Sequence, residues 1–220
     1  MSQSQELAIP ETGSAFAVSD EMFKDIARGG KFLPRLTLTA PLSTVCVEGK
    51  CLPGRWAIID GQTLEDLGQE TRGFVCAMRL KAMDTGADPV VSYYNPALPE
   101  FKAIQERSKV EKQGPLAGPE FLIYIAQEKI FCSLFMCSKT MKREAPLVKQ
   151  LLKKPATFKI TLANNKKNKW HAPVITSCGV PLEPPDAEKL QKAVHSFMNP
   201  PANEVEAAGA EESAATDRDR

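Results

Sequence analysis

Apolar residues alternate with polar ones through much of residues 31–185, and a period of two marks half-buried strands. In "KFLPRLTLTA", Leu36 and Leu38 alternate with Arg35, Thr37 and Thr39. "RWAIIDG" predicts a second strand that ends in a turn. In "TRGFVCAMRLKAM", Phe74, Cys76, Met78, Leu80 and Ala82 share one face, while Arg79 and Lys81 point the other way. "VVSYYN" predicts a short strand. "EFLIYIAQ" and "KIFCSLFMCS" are nearly continuous in apolar residues, which predicts central strands buried on both faces. "ATFKITLA" alternates again: Phe158, Ile160 and Leu162 face in, and Thr157, Lys159 and Thr161 face out. "NNKKN" is its turn and "KWHAPVITSC" the returning strand, with Pro173 placing it at an edge or a bulge.

Helical spacing is rarer. "SDEMFKDIARGG" predicts a short helix stopped by Gly29 and Gly30. "PALPEFKAIQERSKVEK" predicts another, with Phe101, Ile104 and Val110 inward, broken by "GPLAGP". Pro146 suits the first turn of a helix to Lys154, with Leu147, Val148, Leu151 and Leu152 as its buried stripe. "PDAEKLQKAVHSFM" has the pattern of a short amphipathic helix.

Strands outnumber helices and do not alternate regularly with them, which excludes a doubly wound sheet. The expected fold is mainly β with α insertions: an OB-like antiparallel β-barrel with two or three helices and a disordered acidic C-terminal tail. The expected organisation is a polar segment over 1–30, an OB-like nucleic-acid-binding domain over 31–185, and the tail over 186–220. In such a barrel the loops at 40–54 and 163–168 flank the ligand face.

Charge sharpens the picture. The net charge of +1 hides a partition. Residues 1–128 carry 13 bases and 17 acids, residues 129–171 carry 11 bases and one acid (Glu144), and residues 172–220 carry 4 bases and 9 acids. A basic segment thus lies between two acidic ones. Within it, residues 153–174 hold six lysines and no acid.

That segment supplies the candidate nucleic-acid-binding residues: Lys139, Lys142, Arg143, Lys149, Lys153 and Lys154 on or near a helix, and Lys159, Lys166, Lys167, Lys169 and Trp170 on a hairpin. Clustered Lys and Arg neutralise phosphates and release counterions. Aromatic rings beside a basic track hold single strands by stacking on bases. Trp170 beside Lys169 fits that chemistry, as do Trp56 beside Arg55 and the pair Tyr93–Tyr94. His171 is expected to be structural. The ordinary alternative is a solvated lysine-rich face, and the imbalance of 11 to one argues against it.

Signals for other chemistry are weak. There are two histidines, no G-x-x-x-x-G-K-[ST] loop, no G-x-S-x-G and no H-E-x-x-H. Asp60, Asp66, Asp84 and Asp88 are the acids a magnesium-dependent nuclease would draw on, but their spacing selects none of them. Cys46 and Cys51 are five apart, as are Cys132 and Cys137, and no C-x-x-C pair exists. Reduced, mostly buried cysteines, no metal, no cofactor and no enzymatic activity are expected. No apolar run approaches the roughly 18 residues of a membrane helix, and "MSQSQELAIPETGSAFAVSD" has neither signal-peptide nor transit-peptide character. A cytoplasmic location without membrane contact is expected.

The phrases "KFLPRLTL", "GPEFLIYI", "LFMCSKTMKREAP" and "KWHAPVITSCGVPLE", followed by an acidic tail, resemble tailed-phage single-stranded DNA-binding proteins of OB type, over roughly residues 31–185. The resemblance implies a protein that coats exposed strands during replication or recombination, in the host cytoplasm. It also implies single-stranded DNA as ligand and replication proteins as partners through the tail. The tail departs from the pattern, since it ends "ATDRDR" without the terminal aromatic or apolar residue of many such docking peptides. A non-enzymatic phage structural or interaction protein with a basic surface is the alternative.

Overall fold

The computed structural model describes residues 33–200, except 42, 62, 88–89, 112 and 165–168, together with a strand at 204–206. The helix expected in "SDEMFKDIARGG" lies outside the described residues. So do Asp88, Lys166, Lys167 and, of the tail, residues 201–203 and 207–220.

The described residues form one mixed sheet and four helices. In chain order they are β1 (Arg35–Leu38), α1 (Thr44–Val47), β2 (Trp56–Asp60), β3 (Thr63–Gly68), β4 (Glu70–Asp84), β5 (Val90–Tyr93) and α2 (Pro99–Val110). There follow β6 (Pro115–Ile125), β7 (Ile130–Phe135), α3 (Lys139–Gln150), β8 (Pro155–Asn164), β9 (Lys169–Ser177), α4 (Ala187–Met198) and β10 (Glu204–Glu206). The pairing order is β10-β5-β4-β6-β7-β1-β2-β3, and β8 adds to β4 with β9 outside it. Every pairing is antiparallel except that of β1 with β7. Among the described residues no helix is long and apolar enough to cross a membrane.

Strand β4 is the spine. Its first five residues, Glu70 to Phe74, pair with β8, its end at Ala82 and Met83 pairs with β5, and most of its length pairs with β6. Its side chains do not keep the single alternation expected from the sequence. A bulge between Val75 and Ala77 inserts one residue and reverses the faces. Val75 and Met78 therefore face the main core, while Phe74, Cys76 and Ala77 face α4. The turn after α3 satisfies the backbone at the bulge: Lys153 N–H donates to Val75 O at 2.7 Å, and Val75 N–H donates to Lys154 O at 3.2 Å.

The sheet curls strongly. Trp56 on β2 lies edge-on to Phe158 on β8, with ring centroids 6.0 Å apart, although five pairings separate those strands. Inside the curl lie Leu36, Val75, Phe121, Ile123, Leu134, Val148 and Ile175. Burying each such side chain stabilises the fold by roughly 1.5–3 kcal/mol. On the outer face, Leu190 and Phe197 of α4 pack on Phe74, Leu122 and Tyr124. The packed unit therefore extends past the boundary expected at residue 185.

Five further expectations change. "GPLAG" does not break a helix into a loop but opens β6, and β3 is an additional strand. Val110 ends α2 exposed rather than inward. Helix α3 begins at Lys139, where the Ser138 hydroxyl accepts a hydrogen bond from Met141 N–H, so Pro146 lies inside the helix and not in its first turn. Its stripe is narrower than expected, with Val148 fully buried, Leu151 and Leu152 half-buried, and Leu147 exposed.

Arg79 and Lys81, expected to point into solvent, are also covered. Arg79 Nε pairs with Glu120 Oε2 at 2.6 Å, and Lys81 Nζ lies 3.9 Å from Glu120 Oε1. The Arg79 guanidinium stacks on Tyr94 and Phe197 and donates to the Phe197 carbonyl at the end of α4. A cation at a helix C-terminus is favoured by the helix dipole, so Arg79 fastens α4 to the sheet.

Candidate nucleic-acid interface

The basic residues belong to one continuous unit, α3–turn–β8–β9. Helix α3 packs along β9. Glu144, the single acid of the basic segment, accepts a hydrogen bond from the Ile175 backbone N–H at 3.4 Å. That contact satisfies an amide on the open side of β9 and binds the helix there. The lone acid thus serves the scaffold and leaves the lysines around it unneutralised.

Lys139, Lys142, Arg143 and Lys149 are exposed on α3, Lys169 is exposed at the start of β9, and Lys153 and Lys154 are half-buried in the turn. Lys153 takes a left-handed backbone, φ 63°, because its N–H must reach Val75. Among the described residues none of these seven has a carboxylate within ion-pair distance. Two other predicted cations do: Arg55 pairs with Asp66 at 2.7 Å, and Lys159 pairs with Glu70 at 3.2 Å. Arg72, first, and Lys159 hold the Glu70 carboxyl below the usual carboxylate range.

The predicted aromatic platforms fare differently. Trp56 is 0% exposed and buried in the core, so it offers no face to a base. It is not a stacking residue. The sequence misleads here because "RWAII" is apolar on both faces of its strand. Trp170 is half-buried, and among the described residues its enclosed indole N–H has no partner. Tyr94 is engaged under Arg79.

The loop at 40–54 meets the hairpin. Gly54 has φ +74°, and its missing β-carbon leaves room for the His171 imidazole, which any side chain at that position would strike. Thr39 fixes the loop: its hydroxyl donates to Leu52 O at 2.8 Å and accepts from Arg55 N–H at 3.0 Å. The Gly54–His171 contact was not foreseen from the sequence, and "LPGR" was its sole trace.

The acids considered for magnesium binding are dispersed. Asp66 pairs with Arg55, and Asp84 pairs with Arg107 at 2.7 Å. Among the described residues no three His, Cys, Asp or Glu side chains gather as a metal site would. None of the six cysteines forms a disulfide among the described residues. Burial pushes the Cys76 thiol up to about 12 and raises that of Cys132 further. Cys137 lies past the end of β7, not on the strand.

No protein-family model, curated protein or solved structure matches the chain.

Proposed function

We propose that this protein is a non-enzymatic single-stranded DNA-binding protein, of the kind that coats exposed strands in phage replication or recombination. The curled sheet is read as an OB-like barrel, with α3 and the β8–β9 hairpin as its nucleic-acid face. The observation that carries this reading is the set of seven cations on one unit without carboxylate partners. Elsewhere in the chain basic residues are repeatedly matched, as at Arg55, Arg79 and Arg107. A fold gains nothing from seven like charges on one unit without carboxylate partners among the described residues, since like charges repel. A phosphate backbone supplies the missing counter-charge.

Single strands are favoured over duplexes by the shape of the unit. Loop 40–54 and the hairpin meet at His171, and Leu52 on the loop and Leu162 opposite His171 are exposed. Apolar side chains at that place suit unstacked bases, which a duplex does not present.

Electrophoretic mobility shift with single- and double-stranded oligonucleotides, with and without magnesium, tests the proposal. A shift with strong single-strand preference and intact DNA is expected. Absence of any shift would reassign the basic face to an acidic protein partner, and degradation with magnesium would make the protein a nuclease.

A further inference from the structure

His171 differs from an ordinary structural histidine. Its ring rests on the bare Cα of Gly54, so the loop fixes its plane. It is half-buried, and among the described residues neither ring nitrogen has a hydrogen-bond partner. A histidine held for structural reasons normally satisfies at least one nitrogen with a carbonyl or carboxylate.

Its surroundings are equally unusual. In the β8–β9 register His171 stands opposite Leu162, so the two side chains lie on the same face about 5 Å apart at Cβ. Leu162 is 57% exposed, although the alternation of β8 assigns it to the inward face. The hairpin has passed the end of the core there, and its inner face emerges as surface. Lys169 lies two residues before His171, on the same face. Trp170, between them, points to the opposite face.

A ring fixed against Gly54, an exposed aliphatic side chain opposite it and a lysine beside it that has no carboxylate partner among the described residues are the components of a base seat. The ring and Leu162 offer apolar contact to the base, and Lys169 takes the adjoining phosphate. We propose that His171, positioned by Gly54, grips a nucleobase of the bound single strand, with Leu162 and Lys169 completing the seat. This rests on the single-stranded DNA-binding reading and names the residue that senses bases, as distinct from the cations that sense phosphates.

Fluorescence anisotropy with labelled oligo-dT and with an abasic oligonucleotide of the same length, at one salt concentration, tests it. His171→Ala is expected to weaken oligo-dT binding by about 5- to 150-fold, the range for loss of one base–aromatic stack. Abasic binding should not change. His171→Phe keeps a ring over Gly54 and should retain most of the oligo-dT affinity, and thermal unfolding of both variants checks that they fold. Equal losses on both oligonucleotides, or no loss on either, would overturn the base seat while leaving the binding function in place. A wild-type protein that binds neither oligonucleotide would overturn the function, and the seat with it.

Discussion

At the residue scale, the two tryptophans separate structure from candidate function. Trp56 is enclosed against Phe158, so Trp56→Ala should cost about 3–5 kcal/mol of stability, as large aromatic truncations in cores do. Urea denaturation measures it, and a loss below about 1 kcal/mol would contradict the burial. Nothing in "RWAII" told core from platform, because burial here depends on a strand five pairings away. Glu70 is a second informative residue. It lies on β4 opposite Lys159 of β8 and neutralises one cation of the basic unit. Its depressed carboxyl places the contribution of its ion pairs above the unfolded value of about pH 4. That contribution is lost as pH falls through the lower folded value. Glu70→Gln removes the restraint at neutral pH. The variant should bind oligo-dT more tightly, and the log–log salt slope should steepen by up to roughly 0.7 if Lys159 then meets a phosphate. Weaker binding would show that Glu70 orients Lys159 instead of masking it.

At the element scale, regular elements were legible where local pattern decided them. The alternation in β1, the apolar runs of β6 and β7, and the β8–β9 hairpin with Pro173 in its outer strand all follow from side-chain period and turn chemistry. The failures share a physical cause: a distant partner overrode the local signal. The β4 bulge is stabilised by backbone groups of Lys153 and Lys154, nearly eighty residues further along the chain. Arg79 and Lys81 look like solvent-facing residues until β6 brings Glu120 and α4 brings Phe197. Helix α3 starts about two turns before the expected position and ends at Gln150 and not at Lys154, because Pro146 resembles a helix start. Pro146 instead interrupts α3, where it removes one backbone hydrogen bond and crowds the preceding turn. Pro146→Ala should therefore stabilise the protein, by on the order of 1–3 kcal/mol. Thermal unfolding measures this, and a lower midpoint would mean that the proline shapes α3 for its place along β9.

At the scale of the whole molecule, the arrangement of strands on β4 separates the basic unit from β10. β10 pairs antiparallel with β5, and β5 pairs antiparallel with β4, so β10 runs in the direction of β4. The chain at Glu206 thus heads away from the end of β4 that carries β8 and β9. Thr71, opposite Phe158, and Ala82, opposite Tyr93, are about 35 Å apart at ~3.3 Å per residue. The 14 residues after Glu206 span at most about 50 Å when fully extended. To reach the basic unit they would have to reverse and stretch, which leaves a low effective concentration. Deleting residues 207–220 should therefore change oligo-dT affinity by less than about twofold even at low salt, where attraction between unlike charges is least screened. A severalfold increase would show that the acidic segment competes with nucleic acid.

The central claim is that the unpaired cations of α3 and the following turn bind the phosphates of a single strand. The salt dependence of oligo-dT affinity tests it most directly, measured for the wild-type protein and for a folded variant carrying Lys142→Gln, Arg143→Gln, Lys149→Gln and Lys153→Gln. The log–log slope should become shallower by roughly 0.7 for each phosphate contact removed, with a large loss of affinity at low salt. An unchanged slope in the variant, or no measurable binding by the wild-type protein, would contradict it.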